Sequence, residues 1–137
     1  MPVLKAAVGV DDPPDARSEL AAVAAEQYST IERLRGVLPV MGACAADLPA
    51  PEAMYFGHGR RRRIDLLSEY LRRRVASGRL RTLPDLAVAA QIVTETVAWF
   101  GWKRHEGRDA SRLGDEAARR TVGESVCNPL APCEGAP

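Results

Sequence analysis

Apolar residues recur at steps of three and four along most of the chain, the spacing that gathers them on one face of a helix, and no run alternates strictly enough to argue a strand. Met1 to Val10 is a short apolar fragment carrying Val3, Leu4, Ala7, Val8 and Val10. Asp11-Asp12-Pro13-Pro14 closes it, because proline lacks the amide donor and restricts the residue before it. Asp15 or Ser18 then offers an N-cap, and Leu20, Val23, Ala24, Gln27, Tyr28, Ile31 and Leu34 predict a helix that stops at Gly36. A short helix is expected in the apolar segment Val37 to Ala46. A longer one is expected from Pro51-Glu52 to Ser77, ended by Gly78 and kinked where Gly57 and Gly59 flank His58.

The helix opened by Pro84-Asp85 and running through Arg104 differs in being apolar on more than one side. At about 100° per residue, Leu86, Ala90, Val93, Val97 and Phe100 form one stripe, and Val88, Ile92 and Trp99 form a second. Ala87, Thr94, Ala98 and Gly101 make a third, narrow enough for another backbone to come close. A surface helix has one face to bury and this one has two, so a second molecule of the same chain is expected against it. Leu113, Ala117, Val122 and Val126 mark a last helix with Asp115 and Glu116 in its first turn and Asn128-Pro129 at its end. Leu130 to Pro137 is expected to fray.

The 137 residues fit one domain, and 46% hydrophobic with 27% charged residues is the balance of a globular chain. An aromatic share of only 5% means a core of Ala, Leu, Val and Ile, which suits closely packed helices. The net charge of +1 is too small for the broad positive field that holds a polyanion. Without a basic leader or a membrane-length apolar run, a cytoplasmic location is expected. Cys44, Cys127 and Cys133 form no CxxC pair, so neither a metal nor a disulfide framework is expected.

Little in the chain supports catalysis. His58 and His105 are lone histidines with no nucleophile motif around them, and Gly57-His58-Gly59 lacks the spacing and the preceding strand of a phosphate loop. The arginines of Arg60 to Arg63 and Arg72 to Arg74 are largely answered locally: Asp65 stands within reach of Arg61 and Arg62, and Glu69 of Arg72 and Arg73. Arg60 and Arg74 instead flank the stripe of Ile64, Leu67, Leu71 and Val75, at a cavity edge or reaching to water. The expectation is a binding protein with no cofactor, not an enzyme.

In order and in wording the segments resemble the C-terminal regulatory half of TetR-family transcriptional repressors. Asp15-Ala16-Arg17-Ser18-Glu19-Leu20 leads to Ile31-Glu32-Arg33-Leu34-Arg35-Gly36. Arg60 to Arg63 runs into Ile64-Asp65-Leu66-Leu67 and Tyr70-Leu71-Arg72-Arg73-Arg74, and the most specific phrase follows: Gly78-Arg79-Leu80-Arg81 before Pro84-Asp85. Thr96-Val97-Ala98-Trp99-Phe100 and Asp115-Glu116-Ala117-Ala118-Arg119 complete a similarity that covers roughly Leu20 to Leu130.

The resemblance implies an all-α helical bundle whose last two long helices form a four-helix bundle with those of a second subunit. It also implies a small-molecule cavity in each subunit, whose occupancy changes the spacing of two DNA-reading heads. Residues 1–14 then correspond to the remnant of a connecting helix and loop, 15–129 to the regulatory domain and 130–137 to a flexible tail. A helix-turn-helix does not fit before Leu20, so DNA contact is expected only through a head absent from these residues. Tyr28, Met41, Met54, Tyr70 and Trp99 are the expected lining for an apolar or amphipathic ligand, Trp99 having a better claim to the interior than Trp102. Ala87, Thr94, Val97, Ala98, Gly101, Val122 and Val126 are the expected homodimer interface. The alternative is a headless interaction protein that pairs with full-length TetR-type regulators and senses nothing.

Overall fold

The computed structural model describes residues 1–11, 13, 15–43, 58–106 and 113–131. Among them every regular element is helical: α1 (Pro2–Val8), α2 (Ala16–Leu34), α3 (Leu38–Ala43), α4 (Arg60–Ala76), α5 (Leu86–Gly101) and α6 (Asp115–Cys127). Single 3-10 turns follow at Lys103–His105 and Asn128–Leu130. The all-α class is as expected, whereas the expected helix start at Pro51-Glu52 and the glycine at Gly57 lie outside the described residues, as do Cys44, Met54 and Cys133.

The helix ends are set by local chemistry. Asp15 caps α2, its carboxylate accepting from the Ser18 amide at 3.0 Å and the Ser18 hydroxyl at 2.5 Å, and these two bonds hold its pKa below the usual carboxylate value. Asp85 caps α5 by accepting from the Ala87 and Val88 amides at 2.8 and 3.0 Å. At the end of α4, Gly78 takes a φ of +70°, which lets its amide reach the Val75 carbonyl (3.0 Å) and the Arg79 amide reach the Arg74 carbonyl (2.9 Å). This is a Schellman stop, and it turns Leu80 into the core. Gly78-Arg79-Leu80-Arg81 is therefore a piece of helix-ending machinery, and the Arg81 amide continues it by donating to the Leu130 carbonyl at 3.2 Å.

The central helix is α5, which packs against α2, α4 and α6, while α1 lies on α2 and α4. One core cluster joins Leu4, Leu20, Val23, Leu67, Tyr70, Leu71, Leu80, Ala90, Val93 and Val126, and a smaller one gathers Tyr28, Val97 and Val122 under Phe100. Leu130, expected in the frayed tail, is buried in the first cluster.

Helices of its own chain cover much of the expected dimer surface: Thr94, Val97, Gly101, Val122 and Val126 are all buried within the chain. What comes close at Gly101 is this chain's own α2: a Cβ there would stand 2.9 Å from Ile31 Cγ2 and 3.2 Å from Ile31 Cβ. What remains outward on α5 is the second stripe, with Val88 53%, Ile92 60% and Trp99 50% exposed, together with Ala87.

One buried charge ties the N-terminal helix to this frame. Arg74 has no exposed surface, and its guanidinium donates to both Glu19 carboxylate oxygens (2.8 and 3.1 Å), to the Val10 carbonyl (2.8 Å) and to the Ala7 carbonyl (2.6 Å). Arg73 donates to the Val8 carbonyl at 3.0 Å. At the other end of α1, the Val3 and Leu4 amides donate to the Glu26 carboxylate of α2 at 3.1 and 3.3 Å. Both orphaned ends of a seven-residue helix are thus satisfied from outside it.

Arg74→Met should leave Glu19 without its counter-charge and the Val10 carbonyl without its donor, lowering stability by about 3–5 kcal/mol in urea unfolding. Removing both charges in Arg74→Met with Glu19→Gln should recover part of the loss. Gly101 and Gly123 should answer alanine with opposite signs. Gly101→Ala should destabilise by about 1–3 kcal/mol through overpacking on Ile31. Gly123→Ala in α6, where an added Cβ meets nothing within 4 Å, should stabilise by about 0.4–1 kcal/mol in the same assay.

Candidate functional site

A cavity of about 460 Å³ opens where the first turns of α4 face the second half of α5 and the end of α2. Its apolar wall comes from Ile31, Ala98, Trp99, Phe100 and Trp102. The Trp99 and Phe100 rings meet edge to face, centroids 4.8 Å apart, and the Phe100 carbonyl is held by the Tyr28 hydroxyl (3.2 Å) and the Arg104 Nε (2.6 Å). The aromatic side of the cavity is therefore fixed from behind by groups that do not line it.

The polar rim is cationic. Arg60 and Arg63 contribute from α4 and Lys103 from the turn after α5, against one acid among the described residues, Glu95. Arg60 Nε donates to Glu95 at 2.9 Å, while Lys103 donates to Glu106 at 2.9 Å and lies 4.1 Å over the Trp102 ring. Thr94 also faces the cavity; it is 3% exposed, and its hydroxyl has no hydrogen-bond partner among the described residues. The buried Nε of Arg63 is in the same position.

Beside the cavity, the junction of α5 and α6 is a charged knot. The buried Arg104 donates to the Leu113 carbonyl at 2.8 Å and binds the Asp115 carboxylate, which also stands 3.7 Å from Arg35. Arg35 donates to the His105 Nε2 at 2.5 Å, a contact that needs a neutral ring. Burial, and then the charges of Arg104 and Arg35, push the His105 pKa below its usual value in keeping with that. These groups fix where α6 begins.

Of the residues expected to line a ligand site, only Trp99 among the described ones borders this cavity, and it does so half exposed, not interior as expected. Trp102, given the weaker claim to the interior, borders it half-buried. Tyr28 and Tyr70 are core. Tyr28 packs with Val97 and Val122 under the Arg119 guanidinium. Tyr70 is fully buried in the other cluster, its hydroxyl donating to the Ala16 carbonyl at 3.4 Å and its pKa raised chiefly by burial. Met41 is half-buried on α3, and Met54 lies outside the described residues. Of the two flanking arginines, Arg60 reaches the cavity and Arg74 reaches neither cavity nor water. Glu69 holds Arg72 (2.7 Å) and Arg73 (2.8 Å), which together bring its pKa down to about 2, but Asp65 takes no ion pair among the described residues.

Sequence reasoning missed Ile31, Arg63 and Thr94 as cavity residues. Ile31 and Thr94 carry the ordinary signal of a helix's buried side. Arg63 reads as one more member of a solvated arginine run until the fold turns it inward.

Residues 18–131 match the family model of the AefR-like transcriptional repressor C-terminal domain. The comparisons with curated proteins and with solved structures bring no match. The match takes in α2 to α6 and both 3-10 turns, the Schellman stop at Gly78 among them, and the chain belongs to the TetR family of transcriptional regulators as an AefR-like C-terminal domain.

Proposed function

We propose that this domain is the ligand-sensing and dimerising part of a TetR-type regulator, and that the cavity between α2, α4 and α5 takes an apolar or amphipathic small molecule. The observation that carries this reading is the cavity itself, in which the aromatic surface of α5 lies beside a buried hydroxyl with no partner among the described residues. DNA contact, in this reading, belongs to a helix-turn-helix head joined ahead of α1, with residues 1–14 as the connecting piece and 15–129 as the sensing domain. No helix among the described residues is long and apolar enough to cross a membrane, which is compatible with action in the cytoplasm.

A ligand that binds only the folded state raises its stability by mass action, by about 2.7 kcal/mol at a hundredfold excess over Kd. Thermal melting of the chain against a panel of medium-chain alcohols should therefore show concentration-dependent upward shifts, with a matching change in the fluorescence of Trp99 and Trp102. Ala98→Phe should fill part of the cavity and abolish the shifts while leaving the melting temperature of the free protein nearly unchanged. No shift across the panel, with Ala98→Phe melting well below wild type, would favour the reading in which the chain pairs with other regulators and senses nothing.

The outward stripe of Val88 and Ile92 on α5, continuous with the side of α6, is the surface we assign to a second copy. Ile92→Arg should give a folded monomer in equilibrium sedimentation where wild type is a dimer. Val97→Arg, with its side chain 1% exposed inside the chain, should instead unfold it. A wild-type chain that sediments as a monomer at high micromolar concentration sinks the dimer assignment.

A further inference from the structure

Among the described residues four charged side chains border the cavity, and all but one have a partner there. Arg60 and Glu95 answer one another, and Lys103 is held by Glu106 and the Trp102 ring. Among the described residues Arg63 makes neither an ion pair nor a hydrogen bond, and its Nε is closed off from water. A guanidinium stays charged at any pH the fold survives, so its donors are answered only by an acceptor, and best by an anion. The Thr94 hydroxyl, buried on the α5 side of the same cavity, adds a second unanswered group. Gln27 is likewise buried without partners, but it does not border the cavity and plays no part here.

We infer that the ligand of this cavity is an amphipathic anion. Its apolar body lies against Trp99, Phe100 and Trp102, and an oxyanion head of the carboxylate kind accepts from Arg63 and from the Thr94 hydroxyl. Glu95 does not oppose it, because its charge is already spent on Arg60. The inference rests on the sensor reading above and narrows it from apolar or amphipathic molecules in general to those with one negative end.

The test titrates the full chain with decanoate, decanol and decyltrimethylammonium, each below its micelle concentration and above the carboxylate pKa. The fluorescence of Trp99 and Trp102, the two tryptophans of the chain, reports binding. Decanoate should bind about ten- to a hundredfold tighter than decanol, and decyltrimethylammonium weakest. Arg63→Gln should bring decanoate to the level of decanol without moving decanol, whose retained binding also shows that the variant is folded. Arg61→Gln, an exposed arginine of the same helix outside the cavity, should move neither. Thr94→Val, nearly the same shape without the hydroxyl, should weaken decanoate several-fold. Equal affinity for decanoate and decanol in wild type overturns the anionic head and leaves the sensor reading standing, whereas silence of all three probes overturns both. An anion preference that survives Arg63→Gln overturns the role given to Arg63.

Discussion

A guanidinium with no exposed surface must have its charge and its donors answered inside the protein, and the arrangement of the whole N-terminal side follows from how Arg74 meets that demand. Glu19 supplies the opposite charge from the first turn of α2, and the end of α1 supplies carbonyls that a helix terminus would otherwise leave to water. Each side solves the other's problem. The arginine is costly to bury alone, and α1 has too few residues to be stable alone. Because Arg74 also stands where α4 ends, its backbone carbonyl takes part in the Gly78 stop that steers Leu80 into the core. The pairing of α1, α2 and α4 is thus specified around one residue.

At the opposite end of α4 the logic is reversed. There the arginines border open space, and polar groups that would ordinarily be satisfied are left without partners among the described residues. Burial without partners is expensive wherever it occurs, so its presence at one end of a helix whose other end is fully answered marks the cavity as the place where the protein departs from self-sufficiency. The aromatic wall does not share this incompleteness, since Phe100 is fixed by Tyr28 and Arg104.

The fold was legible in the sequence wherever its causes were local. Asp15, Asp85 and Gly78 act within three or four residues of themselves, so the boundaries they set could be read directly, and the phrase around Gly78 carried the family resemblance for a physical reason. The partition of surfaces was not legible. Period and polarity mark a residue as buried without saying against what, and so Val97, Gly101, Val122 and Val126, covered within the chain, looked the same as residues covered by a second copy. Tyr28 and Tyr70 looked like pocket aromatics, but each spends its hydroxyl on a backbone carbonyl and its ring on the core. Thr94 and Arg63 became visible only when α2, α4 and α5 were in place, because an unanswered hydrogen bond is a property of the assembled neighbourhood.

The clamping of α1 at both ends bears on how the chain breathes. A short terminal helix held by apolar contacts alone would fray, opening and closing many times for each unfolding of the domain. Here its first amides are held by Glu26 of α2 and its last carbonyls by Arg73 and Arg74 of α4. Detaching it takes a carbonyl acceptor from the buried Arg74 and two amide donors from the half-buried Glu26, so the segment shares the cooperativity of the bundle and its amides should exchange with solvent on the slow timescale of the core. A stiff N-terminal edge of this kind hands on torque instead of absorbing it.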